Sequence, residues 1–430
     1  MNQQVRISST DTGLTDTELT NTLRASLNGG MGGIKKVLLI PPDLTRAHSG
    51  AGRITNIYYH LLKDTCDVYV LPALGTHVAM TEEECGRMFG DIPYEKFIVH
   101  NWRTDTVKVG EVPKEFVTEI SEGTFCQSVE VEINKHLLDR SYDLILSIGQ
   151  VVPHEVVGMA NYTKNILVGC GGSKIINASH ILGAFYGMER LMGKDHSPVR
   201  KLFDYAEENF LQDIPLRYVL TVTTAKVDKV NIHGLFIGRD RALFEQAVAL
   251  SQKLNMVFTE PLKKVVVYLD PEEFKSTWLG NKAIYRTRMA IADGGELIIL
   301  APGIERFGED AEIDGLVRKY GYTGRENIIS YCSRFEDLKC NMSAAAHLIH
   351  GSSDERFKIT YCPGHLSEEE VTSAGFSYMP CEEALKRYIP NVLKDGYYIM
   401  SDGEEIFYIS NPALGLWANK EKFFMSSDPN

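Results

Sequence analysis

Residues 143–180 have the sequence DLILSIGQVVPHEVVGMANYTKNILVGCGGSKIINASH, in which an apolar run leads into a glycine-rich connection. The run DLILSIG (143–149) is typical of a buried strand in a parallel sheet. The connection carries His154, Lys164 and His180, with the lysine ten positions after the first histidine and sixteen before the second. A histidine binds metals or moves protons, and a lysine holds a cofactor covalently or by charge. This stretch therefore predicts both an α/β fold and a functional site.

Apolar runs alternate with amphipathic segments along most of the chain, which is typical of α/β architecture. Before Pro261 the pattern predicts a first series of strands and helices. The further strands are KKVLLI (35–40), DVYVLPA (67–73) and LRYVLTVTTAK (216–226), and the helices are RITNIYYHLLKD (53–64), a helix opened by a Thr81–Glu84 capping box, and SHILGAFYGMERLMG (179–193).

A second series of strands and helices begins after Pro261. It consists of KKVVVYLD (263–270), a helix near 278–293, GELIILAPG (295–303), RFKITYC (356–362) and YYIMSD (397–402). We therefore predict two α/β domains, over residues 1–262 and 263–430, with a cofactor and substrate site in the cleft between them. The final stretch SNPALGLWANKEKFF packs on its own domain or back on the first one, and the sequence leaves both alternatives open.

The bulk composition limits the class of protein. A chain of 430 residues is too long for one ordinary core, and its net charge of −12 argues against a nucleic-acid or anionic-membrane partner. No apolar run approaches the ~20 residues that span a bilayer, and the polar N-terminus has no signal-peptide core. The eight cysteines include no CxxC pair, so a zinc-finger or redox motif is not predicted. We expect a cytoplasmic protein.

Polar and charged residues follow several of the predicted strands. DLTR (43–46), GTH (75–77) and GQVVPHE (149–155) each come directly after an apolar run. In open α/β sheets, ligands bind beyond the carboxyl ends of the strands. We therefore predict that these three segments meet in one active site. Each segment also has a plainer interpretation, namely a turn with a salt bridge for Asp43 and Arg46 and a capping or surface residue for each histidine.

His180 follows Ser179, which we predict to be a helix N-cap, so His180 is expected in the first turn of a helix. There the helix dipole disfavours the imidazolium form and keeps the ring neutral, as a metal ligand must be. A solvated histidine is the alternative. The loop Gly169–Lys174 contains small residues suited to closing over a phosphate, but it lacks the order of residues found in a P-loop.

These motifs together resemble the lactate racemase family that uses the nickel-pincer nucleotide. The resemblance rests on DLTR (43–46), GTH (75–77), PHEVVGMANYTK (153–164), His180 sixteen positions later, and Lys282 ahead of GGELIIL. It covers most of the chain and is strongest over residues 35–195. No single motif is specific, but the set is.

The resemblance implies a role for each matching residue. Lys164 would carry the nickel-pincer nucleotide as a thioamide, and His180 would ligate the nickel. His77 and His154 would be the paired acid–base groups. The remaining roles are substrate or cofactor binding by Arg46 and Lys282, and contact with the nucleotide by Asp43 and Thr45. It also implies a small 2-hydroxy acid as substrate and the cofactor-biosynthesis proteins as partners.

The chain departs from the family pattern in three places. Met159-Ala160-Asn161-Tyr162-Thr163 stands where the family has a serine and two glycines shortly before the modified lysine. Ala47-His48-Ser49-Gly50 stands where a proline closely follows DxTR, and Leu279 stands where a glutamine is common. These changes alter the walls around the cofactor and the substrate, so lactate itself does not follow from the resemblance.

Three other functions remain open from the sequence. The same apparatus could epimerise a larger sugar acid, since His48, Asn161 and Tyr162 add polar groups that a lactate site does not need. His77, His154 and His180 could instead form a metal-dependent hydrolase site, although this reading finds no carboxylate ligand beside them and leaves Lys164 without a role. The third alternative is a non-catalytic, nucleotide-binding relative of the enzymes.

Overall fold

The apolar run at 143–149 forms a strand near the centre of a six-stranded sheet. The structure is a computed structural model that describes residues 3–28, 33–226 and 229–425. The chain divides into two units, the first comprising Met1–Leu182 and Leu191–Asn255 and the second comprising Gly183–Arg190 and Met256–Asn430. The sequence predicts a boundary after residue 262, whereas this division falls after Asn255 and gives a short inner segment to the second unit.

The elements of the first unit follow a strand–helix alternation. Its strands are β1 (Gln4–Ile7), β2 (Lys36–Ile40), β3 (Asp67–Val70), β4 (Thr106–Val112), β5 (Val129–Asn134), β6 (Leu144–Gln150), β7 (Pro153–His154), β8 (Gly158–Met159), β9 (Leu216–Lys226) and β10 (Lys229–Gly238). Its helices are α1 (Asp16–Leu27), α2 (Ala51–Leu62), α3 (Glu82–Phe89), α4 (Lys114–Ile120), α5 (Thr163–Leu167), α6 (Ser173–Tyr186), α7 (Met188–Leu191), α8 (Pro198–Phe210) and α9 (Arg241–Asn255), of which α6 and α7 run across the division.

The main sheet of this unit has the strand order β1-β10-β9-β6-β2-β3. Strands β9, β6, β2 and β3 are parallel to their neighbours, while β10 and β1 add antiparallel pairs at one edge. Leu38 and Ile40 of β2 belong to one apolar cluster, and Val37 and Leu39 belong to another on the opposite face. The sheet is therefore covered on both faces, which explains why its central strands are continuous apolar runs.

The second unit repeats this architecture. Its strands are β11 (Met256–Thr259), β12 (Leu262–Tyr268), β13 (Ile291–Ala301), β14 (Lys358–Pro363), β15 (Ser377–Tyr378), β16 (Gly396–Ile399), β17 (Glu405–Ile409) and β18 (Leu416–Asn419). Its helices are α10 (Thr277–Gly280), α11 (Lys282–Tyr285), α12 (Ala311–Tyr320), α13 (Arg325–Arg334), α14 (Glu336–Cys340), α15 (Met342–His350), α16 (Glu368–Ser373), α17 (Cys381–Arg387) and α18 (Lys420–Met425).

The six-stranded sheet of the second unit has the order β15-β14-β13-β12-β17-β16, and it is parallel except for the edge strand β16. Outside it, β18 pairs in parallel with β11. The final stretch of the chain thus pairs with the segment that opens the second unit. The α/β fold class predicted from the sequence is confirmed in both units.

Two predicted helices are wrong in their bounds. The helix expected over 179–193 begins six residues earlier, at Ser173, and breaks at Gly187, whose φ of +107° is incompatible with a continuous helix. The helix expected near 278–293 consists of the short α10 and α11 on either side of Asn281, and β13 begins at Ile291. The Thr81–Glu84 capping box is confirmed at the start of α3.

Among the described residues, no helix combines the length and the apolar character that crossing a bilayer requires.

Candidate functional site

Asp43 and His77 form a hydrogen-bonded pair beyond the carboxyl ends of β2 and β3. The Oδ2 atom of Asp43 lies 2.5 Å from Nδ1 of His77, and Oδ1 accepts a hydrogen bond of 2.5 Å from the hydroxyl of Thr45. Burial raises the pKa of Asp43, but the bonds from His77 and Thr45 outweigh it, so the pKa lies below its ordinary value. Asp43 is therefore ionised and accepts the hydrogen bond from Nδ1 of His77, so that in the neutral form of the ring the lone pair is on Nε2.

His154 follows β6, and the Nδ1 atom of its ring accepts a hydrogen bond, whereas Nδ1 of His77 donates one. Its Nδ1 accepts a hydrogen bond of 3.1 Å from the backbone N–H of Val156. Burial, together with the positive charges of Lys164 and Arg46, holds the pKa of His154 well below its ordinary value, and the Glu155 carboxylate only partly opposes this. The ring is therefore neutral with its proton on Nε2, so it presents an N–H donor where His77 presents an acceptor.

Lys164 lies in the first turn of the short helix α5 and is half-buried. Burial is the main cause that lowers its pKa to about 8, and the positive charge of Arg46 adds to it. An amine with that pKa has a much larger uncharged fraction at neutral pH than an ordinary lysine, which makes it a better nucleophile. The helix itself is tied to the sheet because Asn165 donates to the carbonyl of Ile40 and to the hydroxyl of Ser147.

His180 lies in the middle of α6, and the prediction that it occupies a first helical turn is wrong. Its Nδ1 donates a hydrogen bond of 2.7 Å to the carbonyl oxygen of Ile176, one turn earlier. Burial is the main cause that lowers the pKa of His180. The neutral ring thus results from burial and not from the helix dipole. Since Nδ1 carries the proton, the Nε2 lone pair of His180 is the one available to a metal.

The N-terminus of α6 is occupied by a carboxylate from β5. Oε2 of Glu132 accepts a hydrogen bond of 3.1 Å from the backbone N–H of Lys174, and Gly172 packs against the same side chain. An acidic group at this position satisfies the helix dipole internally. The structure therefore gives no support to a phosphate site at Gly169–Lys174.

Arg46 and Lys282 belong to different units. The guanidinium of Arg46 is exposed and contributes its charge to the surroundings of Asp43, His154 and Lys164. Lys282 opens α11 in the second unit, and its Nζ lies 5.5 Å from the centre of the Phe274 ring. The first unit thus brings together all the predicted site residues except Lys282.

Glu155 is a residue that the sequence reasoning missed. Its Oε2 lies 3.9 Å from Nδ1 of His154, and its negative charge raises the pKa values of His154, Lys164 and His180 against the larger effect of burial. The signal was present, since Glu155 directly follows His154 in the sequence. Glu155 thus places a carboxylate beside His154, although among the described residues it does not join the three histidines in a cluster of metal-ligand atoms.

The two alternative enzymes receive less support from the structure. Asn161 and Tyr162 are buried, and the Tyr162 hydroxyl donates to the carbonyl of Arg239 inside the first unit. They are not polar walls that a sugar acid could contact. Among the described residues, His77, His154 and His180 do not form a group of ligand atoms within 4.8 Å of one another, as a preformed hydrolase metal site requires.

Residues 13–191 match the family model described as the lactate racemase N-terminal domain. This segment contains every predicted site residue except Lys282. Over these residues the chain is similar to the N-terminal domain of lactate racemase. A lactate racemase from Thermoanaerobacterium thermosaccharolyticum is 24% identical over 279 residues, which cover 63% of this chain and 60% of that enzyme. The match to this lactate racemase thus spans less than two thirds of that enzyme's own length.

Two solved structures have a similar fold. A crystal structure of a protein from Thermotoga maritima superposes with a TM-score of 0.78 at 24% identity, covering 95% of this chain and 99% of that one. The lactate racemase apoprotein from Thermoanaerobacterium thermosaccharolyticum gives a TM-score of 0.69 at 18% identity, with 93% of each chain covered. At these identities, the structural likeness to lactate racemase establishes the fold alone.

Proposed function

We propose that this protein is a racemase or epimerase that inverts the C2 centre of a 2-hydroxy acid, with a nickel-pincer nucleotide attached to Lys164. The observation that carries the proposal is the opposite hydrogen bonding of two histidine rings, since Nδ1 of His77 donates and Nδ1 of His154 accepts. His77 offers a bare Nε2 backed by Asp43, and neutral His154 offers an Nε2–H group. Oxidising an alcohol to a carbonyl requires an acceptor for the hydroxyl proton and a donor toward the carbonyl oxygen, and this pair supplies both.

Inversion at C2 requires breaking a C–H bond of very low acidity. When bound, the nickel-pincer nucleotide supplies the hydride acceptor that no amino-acid side chain provides. The side chains of this protein handle the proton. Nε2 of His77 takes it from the substrate hydroxyl, and the Nε2–H group of His154 donates a hydrogen bond to the same oxygen. The two histidines come from different strand ends, and His77 returns the proton to the same oxygen when the carbonyl is reduced again.

The substrate carboxylate is assigned to Arg46 and Lys282. An exposed guanidinium binds a carboxylate through two parallel hydrogen bonds, which fixes its orientation as well as its position. Asp43 and Thr45 remain assigned to the nucleotide, although both carboxylate oxygens of Asp43 already have partners. We therefore propose that Asp43 acts mainly by orienting the ring of His77.

The donor set of the first unit fits the cofactor. The amine of Lys164, with a pKa of about 8, is suited to a covalent bond with the nucleotide. Nε2 of His180 keeps its lone pair because Nδ1 donates to a backbone carbonyl, which is the tautomer that ligating histidines adopt. A neutral imidazole suits nickel.

The test is an intact-mass measurement with peptide mapping and nickel analysis, on protein produced together with the cofactor-biosynthesis proteins. We expect a nucleotide adduct on the Lys164 peptide and stoichiometric nickel. Lys164→Ala should abolish the adduct, whereas Lys174→Ala, at an exposed lysine on α6, should retain it. Unmodified wild-type protein, beside a loaded lactate racemase prepared in the same way, would contradict the proposal.

Two further measurements separate the metal ligand from the substrate. His180→Ala should lose nickel while keeping the adduct, and His365→Ala, at an exposed histidine, should keep both. The loaded wild-type protein is then incubated with single enantiomers of lactate, of other 2-hydroxy acids and of larger sugar acids. Inversion of any one of them identifies the substrate class, and inversion of none by nickel-loaded protein would contradict the assignment as an enzyme.

A further inference from the structure

Arg200, on α8, is completely buried and binds the turn that precedes Lys164. Its guanidinium donates hydrogen bonds of 2.7 Å and 3.2 Å to the carbonyl oxygens of Met159 and Asn161, and one of 2.5 Å to the hydroxyl of Thr163. All three acceptors lie within the five residues before the lysine. The guanidinium group of Arg200 thus contacts the turn from Met159 to Thr163.

The turn that Arg200 binds has an unusual backbone. Asn161 and Tyr162 have φ values of +63° and +56°, and the ψ of Tyr162 is −133°, a combination that glycine adopts far more readily than tyrosine. Such a backbone persists only where its surroundings enforce it. Here the Tyr162 ring stacks on Phe244, and the Asn161 side chain accepts from the next backbone N–H.

Arg200 is also a buried charge whose hydrogen bonds go to the turn and not to a carboxylate. Among the residues that the structure describes, no Asp or Glu oxygen lies within ion-pair distance of its guanidinium, and its bonds all go to neutral oxygens of the turn. The charge of Asp204, four residues further along α8, favours the ionised guanidinium against the cost of burial from beyond hydrogen-bond distance. The field of the guanidinium reaches Lys164, where it adds to burial and to Arg46 in lowering the pKa of the amine.

We propose that Arg200 is a positioning residue for Lys164: its hydrogen bonds hold the strained turn so that the amine is presented at a fixed place. Its three hydrogen bonds stabilise a backbone conformation at Asn161 and Tyr162 that glycines would adopt without such support. The inference rests on the proposed function only for the identity of the group that Lys164 accepts. The reactivity of the amine is a property of the protein alone and is measured without cofactor.

The experiment measures acetylation of Lys164 by acetic anhydride in the cofactor-free protein, as a function of pH, with peptide mass spectrometry. Lys174 in the same molecules is the internal reference. We expect a midpoint near pH 8 for Lys164 in the wild type. In Arg200→Gln the midpoint should move up by at least about half a unit, which is about threefold slower labelling at pH 7.

Two variants separate charge from geometry. Arg200→Lys keeps the charge without the fork, so the midpoint should stay close to that of the wild type while amide hydrogen exchange over residues 158–166 becomes faster. Lys201→Gln removes an exposed charge from the adjacent position on α8 and should change neither quantity. These comparisons use cooperative thermal unfolding as the criterion that each variant is folded.

The proposal is overturned if folded Arg200→Gln keeps both the wild-type midpoint and the wild-type exchange. If Arg200→Gln does not fold, Arg200→Lys decides, and unchanged exchange over 158–166 in that variant overturns the proposal. Absence of a nucleotide adduct in the loaded wild type would contradict the proposed function but would leave the labelling result standing. The two failures are therefore distinguishable.

Discussion

The carboxylate of Asp43 and the imidazole of His77 are joined by a hydrogen bond of 2.5 Å between Oδ2 and Nδ1. The two residues follow β2 and β3, which are adjacent parallel strands with Leu39 opposite Val70. The bond therefore links two loops at the same edge of the sheet. Because Asp43 is ionised, it fixes the proton of His77 on Nδ1 and stabilises the imidazolium that forms when Nε2 takes a proton.

Replacement of Asp43 by asparagine should disable His77 while leaving the fold intact. An amide is uncharged and can donate to Nδ1, which would favour the wrong tautomer of the ring. We expect kcat for inversion of the 2-hydroxy acid to fall by about 10²–10⁴-fold. Asp91 forms a similar but exposed pair with His60, so Asp91→Asn is a matched control that should keep full activity. Equal rates in the two variants would contradict the role of Asp43.

The opposite tautomers of His77 and His154 predict different responses to glutamine. A glutamine side chain can donate a hydrogen bond but cannot accept a proton at neutral pH. At His154 we expect Gln to retain roughly tenfold more activity than Leu, since the donor is preserved. At His77, both replacements should lose about 10²–10⁴-fold. Rates are compared on protein with equal nickel content. If Gln retained more activity relative to Leu at His77 than at His154, the roles of proton acceptor and hydrogen-bond donor would have to be exchanged between the two histidines.

The strands of the first unit and the positions of its site segments could be predicted from the sequence. Central strands covered on both faces are continuous apolar runs, so KKVLLI and DLILSIG can be recognised as strands. The segments DLTR and GTH directly follow such runs. The site roles of these residues stay predictions until they are tested.

Other features of the site depend on contacts between distant residues. The start of α6 at Ser173 is satisfied by Glu132, which lies on a strand far earlier in the chain, so no local capping signal marks it. A serine before His180 suggested an N-cap, but Ser179 lies inside the helix and donates to the carbonyl of Ile176. Arg200 carries no sequence signal that connects it with the turn before Lys164.

Gly149, the penultimate residue of β6, should not tolerate a side chain. A Cβ at this position would overlap the side-chain amide of Asn161, which belongs to the strained turn before Lys164. We expect Gly149→Ala to destabilise the protein by about 1–3 kcal/mol and to change the labelling of Lys164. Gly86, within α3, has open space around it, so Gly86→Ala should be neutral or stabilising by up to about 1 kcal/mol. Thermal unfolding measures both, and a Gly149→Ala protein as stable as the wild type would contradict the packing argument.

Glu296 should stabilise the second unit in a pH-dependent way. It lies on β13, where it contacts Lys264 and Lys358 at 3.1 Å and 2.9 Å and accepts a hydrogen bond of 2.8 Å from Thr360. Burial raises the pKa of Glu296, but these three partners outweigh it and lower the pKa from 4.5 to about 2. Because the pKa is lower in the folded state, the stabilisation is complete above about pH 4.5 and is lost as the pH falls towards 2.

Glu296→Gln should therefore lower Tm most at neutral pH. With its 20% exposed side chain, we expect a loss of about 2 kcal/mol at pH 7, which is roughly 4–8 °C for a unit of this size. The difference from the wild type should shrink as the pH is lowered below 4.5, since the carboxylate is then protonated in the unfolded state and, towards pH 2, in the folded state as well. Glu305→Gln, at a half-exposed carboxylate, is the control and should show a small difference that does not depend on pH in this way. A Tm difference for Glu296→Gln that stays constant from pH 7 to pH 3 would mean that the carboxylate charge does not stabilise the sheet.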